Sequence, residues 1–186
     1  MRMMCDSTMR VKNGLRSSNA NSWEPRNVAI DQLIQRARSQ IGLPTKYVLG
    51  GGHAGGDSCR DAAGACDCSG FICWVLQRRR RLDQPWAVKI NGGWLNTDLW
   101  WYDAHHDEHL GAQCEPQAGA LIVYPASWVD KRKIGPKIGH IGILTAPDRV
   151  IHCSGGNVRQ TGDAIQETGL TVFQRVASTC FVLPVP

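Results

Sequence analysis

Three of the chain's eight cysteines, Cys66, Cys68 and Cys73, fall within the stretch "ACDCSGFIC" and lead directly into an apolar run. A cysteine can ligate a metal, form a disulfide, pack, or attack an electrophile. With Cys59 included the spacings are seven, two and five, with no C-x-x-C pair and no H-x3–5-H partner, a poor match to structural zinc. In an oxidising compartment Cys59 and Cys66 could close the intervening Gly-rich loop as a disulfide. Cys73, between Ile72 and Trp74, reads as a small packed side chain. Cys68 differs because it stands where a Gly-rich loop enters a helix. Unpaired backbone N–H groups and the helix dipole favour negative charge there. That setting predicts a lowered thiol pKa and donors for an oxyanion, two requirements of a cysteine nucleophile.

A nucleophilic thiol needs a base, and the base needs an orienting group. His140 in "GHIGIL" and His152 in "VIHCSG" lie on what reads as a β-hairpin turning at Ala146-Pro147-Asp148. A three-residue loop pairs Gly142 with His152 and places both imidazoles on one face as diagonal neighbours. A two- or four-residue loop would put them on opposite faces. The competing reading is that each is a satisfied core histidine.

These residues need elements to hold them. Residues 1–26 read as a flexible polar arm and 27–186 as a single domain. Asn27 is the expected N-cap of a helix over "VAIDQLIQRARSQIGL", which places Ile30, Leu33, Ile34, Ala37 and Ile41 on one face, with Gly42 and Pro44 as stop signals. A second helix is expected from Ser69 to about Arg80, ending in the "RRRR" run at 78–81, and a third from Thr97. Strands are expected at 119–126, 138–145, 149–155 and 178–185. Helices first and a meandering sheet second read as an α+β domain.

Composition narrows the classes. At 186 residues with 42% hydrophobic content the chain can bury a core without staples. There is no 18-residue apolar run and hence no expected membrane span. The polar N-terminus does not read as a Sec signal peptide. A formal charge of +5 suits an anionic substrate. Nucleic acid is not expected, because "RRRR" and Lys89 at helix ends complement the dipole and stay solvated. Of Trp94, Trp100 and Trp101, two are expected in the core, the alternative being a platform for sugar or peptide.

In the order of its motifs the chain resembles the NlpC/P60 cysteine peptidases of bacterial cell walls. The matching pieces are "SQIGLPTKYVLGGG", "DCSGFICWVL", "PQAGALIVYP" and "GHIGILTAPDRVIHCSG", spread over about residues 28–155. The resemblance implies a papain-like fold whose central helix carries Cys68 against an antiparallel sheet. It makes Cys68 the nucleophile, His140 the general base and His152 the residue that holds the base's tautomer. Tyr47 would complete the oxyanion hole with the Cys68 N–H, its alternative being a wall of the core. Asp67 and Ser69 would hold the substrate's free amino end, their alternative being helix capping. The implied reaction is hydrolysis of peptidoglycan stem peptides at a D-γ-glutamyl–diamino acid bond through a thioester. The alternative is a papain-like acyltransferase, or an amidase acting on a non-wall substrate. No cofactor, metal or nucleic-acid partner is implied, and the protein would be a monomer. It would be made in a bacterial or phage-infected cytoplasm and reach the periplasm or wall by a route other than Sec. Two departures stand out: the insertion "HAGGDSCRDAAGA", and Ala120 where the family's first strand is preceded by an acid.

Overall fold

A computed structural model describes residues 25–52, 56–126 and 138–185. Most of the expected N-terminal arm lies outside them. The first helix, α1 (Pro25–Arg38), starts two residues before the expected cap, so Asn27 sits inside it. Proline is well placed at a first helical position, where its missing N–H costs nothing. Ile34 and Ala37 are buried, and Ile41 packs on the core from the turn that follows.

A two-stranded parallel pair, β1 (Lys46–Tyr47) and β2 (Ala65–Cys66), ties off the Gly-rich loop and leads directly into α2 (Cys68–Val75). All eight residues of α2 are buried. Removing Phe71, Ile72 and Val75 from water is worth about 2 kcal/mol each. This helix ends well short of the expected Arg80. Gln77 has φ 54°, Arg78 N–H donates to Cys73 O at 2.8 Å, and Gln77 N–H donates to Trp74 O at 3.1 Å. Those two bonds form a Schellman stop with glutamine where glycine is usual, so the sequence carried no stop signal.

Two helices follow, α3 (Pro85–Asn91) and α4 (Thr97–His106), the latter capped by the Asn96 side chain. Trp100 is fully buried, Trp101 is half-buried with its indole N–H on Ser178 O, and Trp94 is exposed. The remaining elements are β3 (Gly111–Gln113), β4 (Leu121–Tyr124), β5 (His140–Ala146), β6 (Arg149–Cys153), α5 (Gly155–Thr161), β7 (Ile165–Gly169), α6 (Thr171–Gln174) and β8 (Cys180–Pro184). The larger sheet is antiparallel with order β3-β8-β4-β5-β6-β7. All four expected strands are present. β3 and β7 were not legible, being short or largely polar.

The chain is thus α+β, with α2 packed on one face of an antiparallel sheet. Leu121, Val123, Ile141, Ile143, Ile151 and Val182 belong to the core on that side. Ala120, Ile122, Tyr124, Leu144, Val150 and Phe173 form the smaller cluster on the other. Among the described residues no helix is long and apolar enough to cross a membrane.

Candidate active site

The hairpin that carries both histidines has a two-residue loop, with Ala146 opposite Arg149 and a β-bulge between Leu144 and Ala146. The expected three-residue loop is therefore wrong in its turn but right in its register. The bulge absorbs one residue, and Ile143 stands opposite Ile151 as the longer loop requires. The imidazoles consequently share a face, with His140 Nε2 and His152 Nδ1 2.7 Å apart. A Cβ on Gly142 would come within 3.0 Å of His152 Cβ and 2.5 Å of a Val150 methyl, so glycine there leaves room for the pair. His152 Nε2 lies 3.0 Å from Thr168 Oγ1.

Strand alternation places these rings on the Tyr124 side of the sheet, where Phe173 stacks on His140 at 5.0 Å. Cys68 lies on the α2 side, near the start of β5. Tyr124 is the last residue of β4, and its register partner His140 is the first of β5. The Cys68 thiolate would take hydrogen bonds from the Tyr47 hydroxyl and from the backbone N–H of Ile141, one residue beyond His140. Tyr124 also feels its charge.

The electrostatics reverse one expectation. Burial raises the Cys68 thiol, the Asp67 carboxylate raises it further, and the hydrogen bonds from Tyr47, Ile141 and Ser69 only partly oppose this. The result is pushed up to about 12, not lowered by the helix N-terminus. Burial, with His152 adding to it, drives His140 down to about 3, and burial drives His152 down to about 4. The resting pair is therefore a neutral thiol and neutral imidazoles. Burial and the nearby Cys68 and Asp67 raise the Tyr47 phenol, which stays a hydrogen-bond donor at any physiological pH. Alkylation of Cys68 by iodoacetamide, followed by peptide mass mapping, is expected to keep accelerating from pH 8 to pH 10. Thiolate at neutral pH is on the order of a thousandfold scarcer than for an ordinary thiol. A rate that levels off below pH 8 would show a thiolate at rest.

Asp67 caps α2 by accepting from Gly70 N–H, and its carboxylate also takes Gly50 N–H at 2.7 Å and Ser69 Oγ–H at 3.1 Å. Arg80 adds an ion pair, Nη1 to Oδ1 at 3.0 Å and Nη2 to Oδ2 at 3.1 Å, and donates to Gly51 O at 2.7 Å. Five protein donors thus fill the carboxylate, and the geometry gives Asp67 the capping contact while Ser69 donates to its carboxylate. One member of the "RRRR" run, expected to be solvated, is instead folded back onto Gly51 and Asp67, ahead of Cys68, by the Schellman turn. A Cβ on Gly70 would come 2.1 Å from Arg80 Nη1 and 2.6 Å from Gly51 O. Gly70→Ala is therefore expected to cost about 3 kcal/mol in urea denaturation, by separating a buried ion pair. A loss under about 1 kcal/mol would show that the pair can shift without breaking.

The other cysteines are free thiols among the described residues, so Cys59 and Cys66 are not bridged. The Cys59 thiol points to Gln40 Oε1 (3.7 Å) and that of Cys66 to Asp67 O (3.4 Å). No cluster of three His, Cys, Asp or Glu side chains suited to a metal occurs among the described residues. Sequence reasoning missed Arg80 and Thr168. The first was hidden by the unmarked helix end and the second by a strand with little apolar alternation. The class the fold and site define is an α+β domain with a buried thiol at a helix N-terminus and a buried, hydrogen-bonded histidine pair on the sheet. A comparison with protein-family models and with curated sequences finds no match.

Proposed function

We propose that the chain is a papain-like cysteine hydrolase of the NlpC/P60 kind that cuts amide bonds in peptidoglycan stem peptides. The observation that carries this reading is the thiol of Cys68 on the first turn of α2, met by the Tyr47 hydroxyl and by the backbone N–H of Ile141, the residue that follows His140 of the hydrogen-bonded His140–His152 pair. The helix-on-antiparallel-sheet layering supports a papain-like fold, and the +5 charge suits a substrate rich in carboxylates.

The neutral resting state dictates the order of events. As the Cys68 sulfur bonds to the carbonyl carbon, its proton passes to His140, because no thiolate is stored beforehand. The carbonyl oxygen gains the negative charge and is met by the Cys68 N–H and the Tyr47 hydroxyl. Collapse expels the amine, which takes the proton from His140 and leaves a thioester. Water then gives its proton to His140 and its oxygen to the carbonyl, and the returning proton frees the thiol. His152 supports the cationic imidazole while it lasts.

Purified peptidoglycan and free stem peptides, each incubated with the protein, are expected to yield fragments ending in D-γ-glutamate by mass spectrometry. Intact substrate in both digests would overturn the proposal. A product in which the acyl group has moved to an added amine would redirect it to acyl transfer.

A further inference from the structure

The three-link polar chain behind His140 has a direction. His140 Nε2 meets His152 Nδ1 at 2.7 Å, His152 Nε2 meets Thr168 Oγ1 at 3.0 Å, and Thr168 Oγ1 meets Gly169 O at 3.0 Å. A carbonyl oxygen only accepts and a threonine hydroxyl has one proton to give. With that proton on Gly169 O, Thr168 must accept from His152 Nε2–H. A neutral imidazole carries one N–H, so His152 Nδ1 is then an acceptor and must receive His140 Nε2–H. The opposite alignment spends the threonine proton on His152, leaves Gly169 O without it, and puts the His140 proton on Nδ1. The first alignment makes all three bonds and the second makes two. It also leaves Nδ1 as the one basic nitrogen of His140.

We propose that Thr168 is a positioning residue which, acting through His152, holds His140 in the tautomer whose Nδ1 is free to receive the Cys68 proton. This rests on the reading of Cys68 and His140 as nucleophile and base. Thr168 stands diagonal to His152 across the β6–β7 pair, since Gln166 is opposite His152 and Thr168 is opposite Val150. That placement puts the hydroxyl on the histidine face. The chain ends in a main-chain carbonyl, which can only accept, so the bias needs no charged third partner.

The test uses Thr168→Val, which keeps the shape and removes the acceptor, beside Thr168→Ser, which restores it. Ring-nitrogen NMR of the wild-type protein labelled with 15N-histidine, at pH 7, is expected to find His140 and His152 both protonated on Nε2. In Thr168→Val both protons are expected to move to Nδ1. Stem-peptide kcat is expected to fall ten- to a hundredfold with KM unchanged, the range typical of lost outer-shell support. Thr168→Ser is expected to recover both signals. Wild-type His140 protonated on Nδ1 would overturn the proposal, as would a Thr168→Val protein with unmoved protons and full turnover. Should Thr168→Val not fold, the wild-type tautomers and the serine variant still decide. If the wild-type protein cuts no stem peptide, the functional reading falls while the NMR result still decides the relay.

Discussion

Cys68→Ala is expected to lower stem-peptide hydrolysis by about four to six orders of magnitude while leaving a folded protein. In the proposed mechanism the variant loses the step that forms the thioester, and the oxyanion donors and histidines have nothing to assist. Stability should barely change, because the helix start does not depend on the thiol. Asp67, not Cys68, caps the first turn, and the Schellman bonds from Gln77 and Arg78 close the last. Deleting one sulfur from a buried site costs about 1 kcal/mol. Cys68→Ser separates shape from chemistry, since its hydroxyl can keep the contacts with Tyr47 and Ile141 but is the weaker nucleophile. Both variants should give the wild-type near-UV circular dichroism and no product. Comparable turnover by either would remove Cys68 from the mechanism.

How much of this could be read from residues alone depended on whether the signal was local. The β-branched runs around Ile122, Ile143, Ile151 and Val182 marked four strands because both faces of the sheet are buried there. The strand β7, "IQETG", is mostly polar and half-exposed, and it took Thr168 out of view with it. The helix α2 was visible from its apolar face, but its end was not. Gln77 adopts a left-handed conformation without the glycine that would announce it, and only the tertiary fold returns Arg80 to Asp67. The hairpin shows a compensation that spacing cannot display. A shorter loop would have set the histidines on opposite faces, and a bulge at the turn restored the register.

The reversal at Cys68 has the same origin. A helix N-terminus lowers a thiol pKa when the thiol is reasonably solvated, and that was the sequence expectation. Here Cys68 is 4% exposed and its thiol feels the Asp67 carboxylate, so desolvation and a like charge outweigh the dipole and its hydrogen bonds. Burial depends on β1 and β5 meeting the thiol through Tyr47 and Ile141, residues far from Cys68 in the chain. Local reading placed Cys68 at the start of a helix but could not fix its charge.

The histidine pair carries the other large expected effect. Stability should fall as the pH drops below about 6.5. In the unfolded chain each imidazole protonates near 6.5, whereas burial holds His152 at about 4 and burial with its neighbour holds His140 at about 3. Between those limits the unfolded state binds protons that the folded state refuses. The contribution is thus complete above 6.5 and lost as the pH falls towards 4. Each histidine adds about 1.4 kcal/mol per pH unit across the window, and two units consume much of the roughly 5–15 kcal/mol of a typical domain. Urea midpoints at pH 7.5, 6.5, 5.5 and 4.5 measure the slope. His140→Phe/His152→Phe, whose new rings would lie against Phe173 and Tyr124, should flatten it. An unchanged slope in that variant would place the acid sensitivity elsewhere. The same burial that makes the pair acid-labile keeps His140 unprotonated at neutral pH, which is the state the proposed mechanism requires of its base.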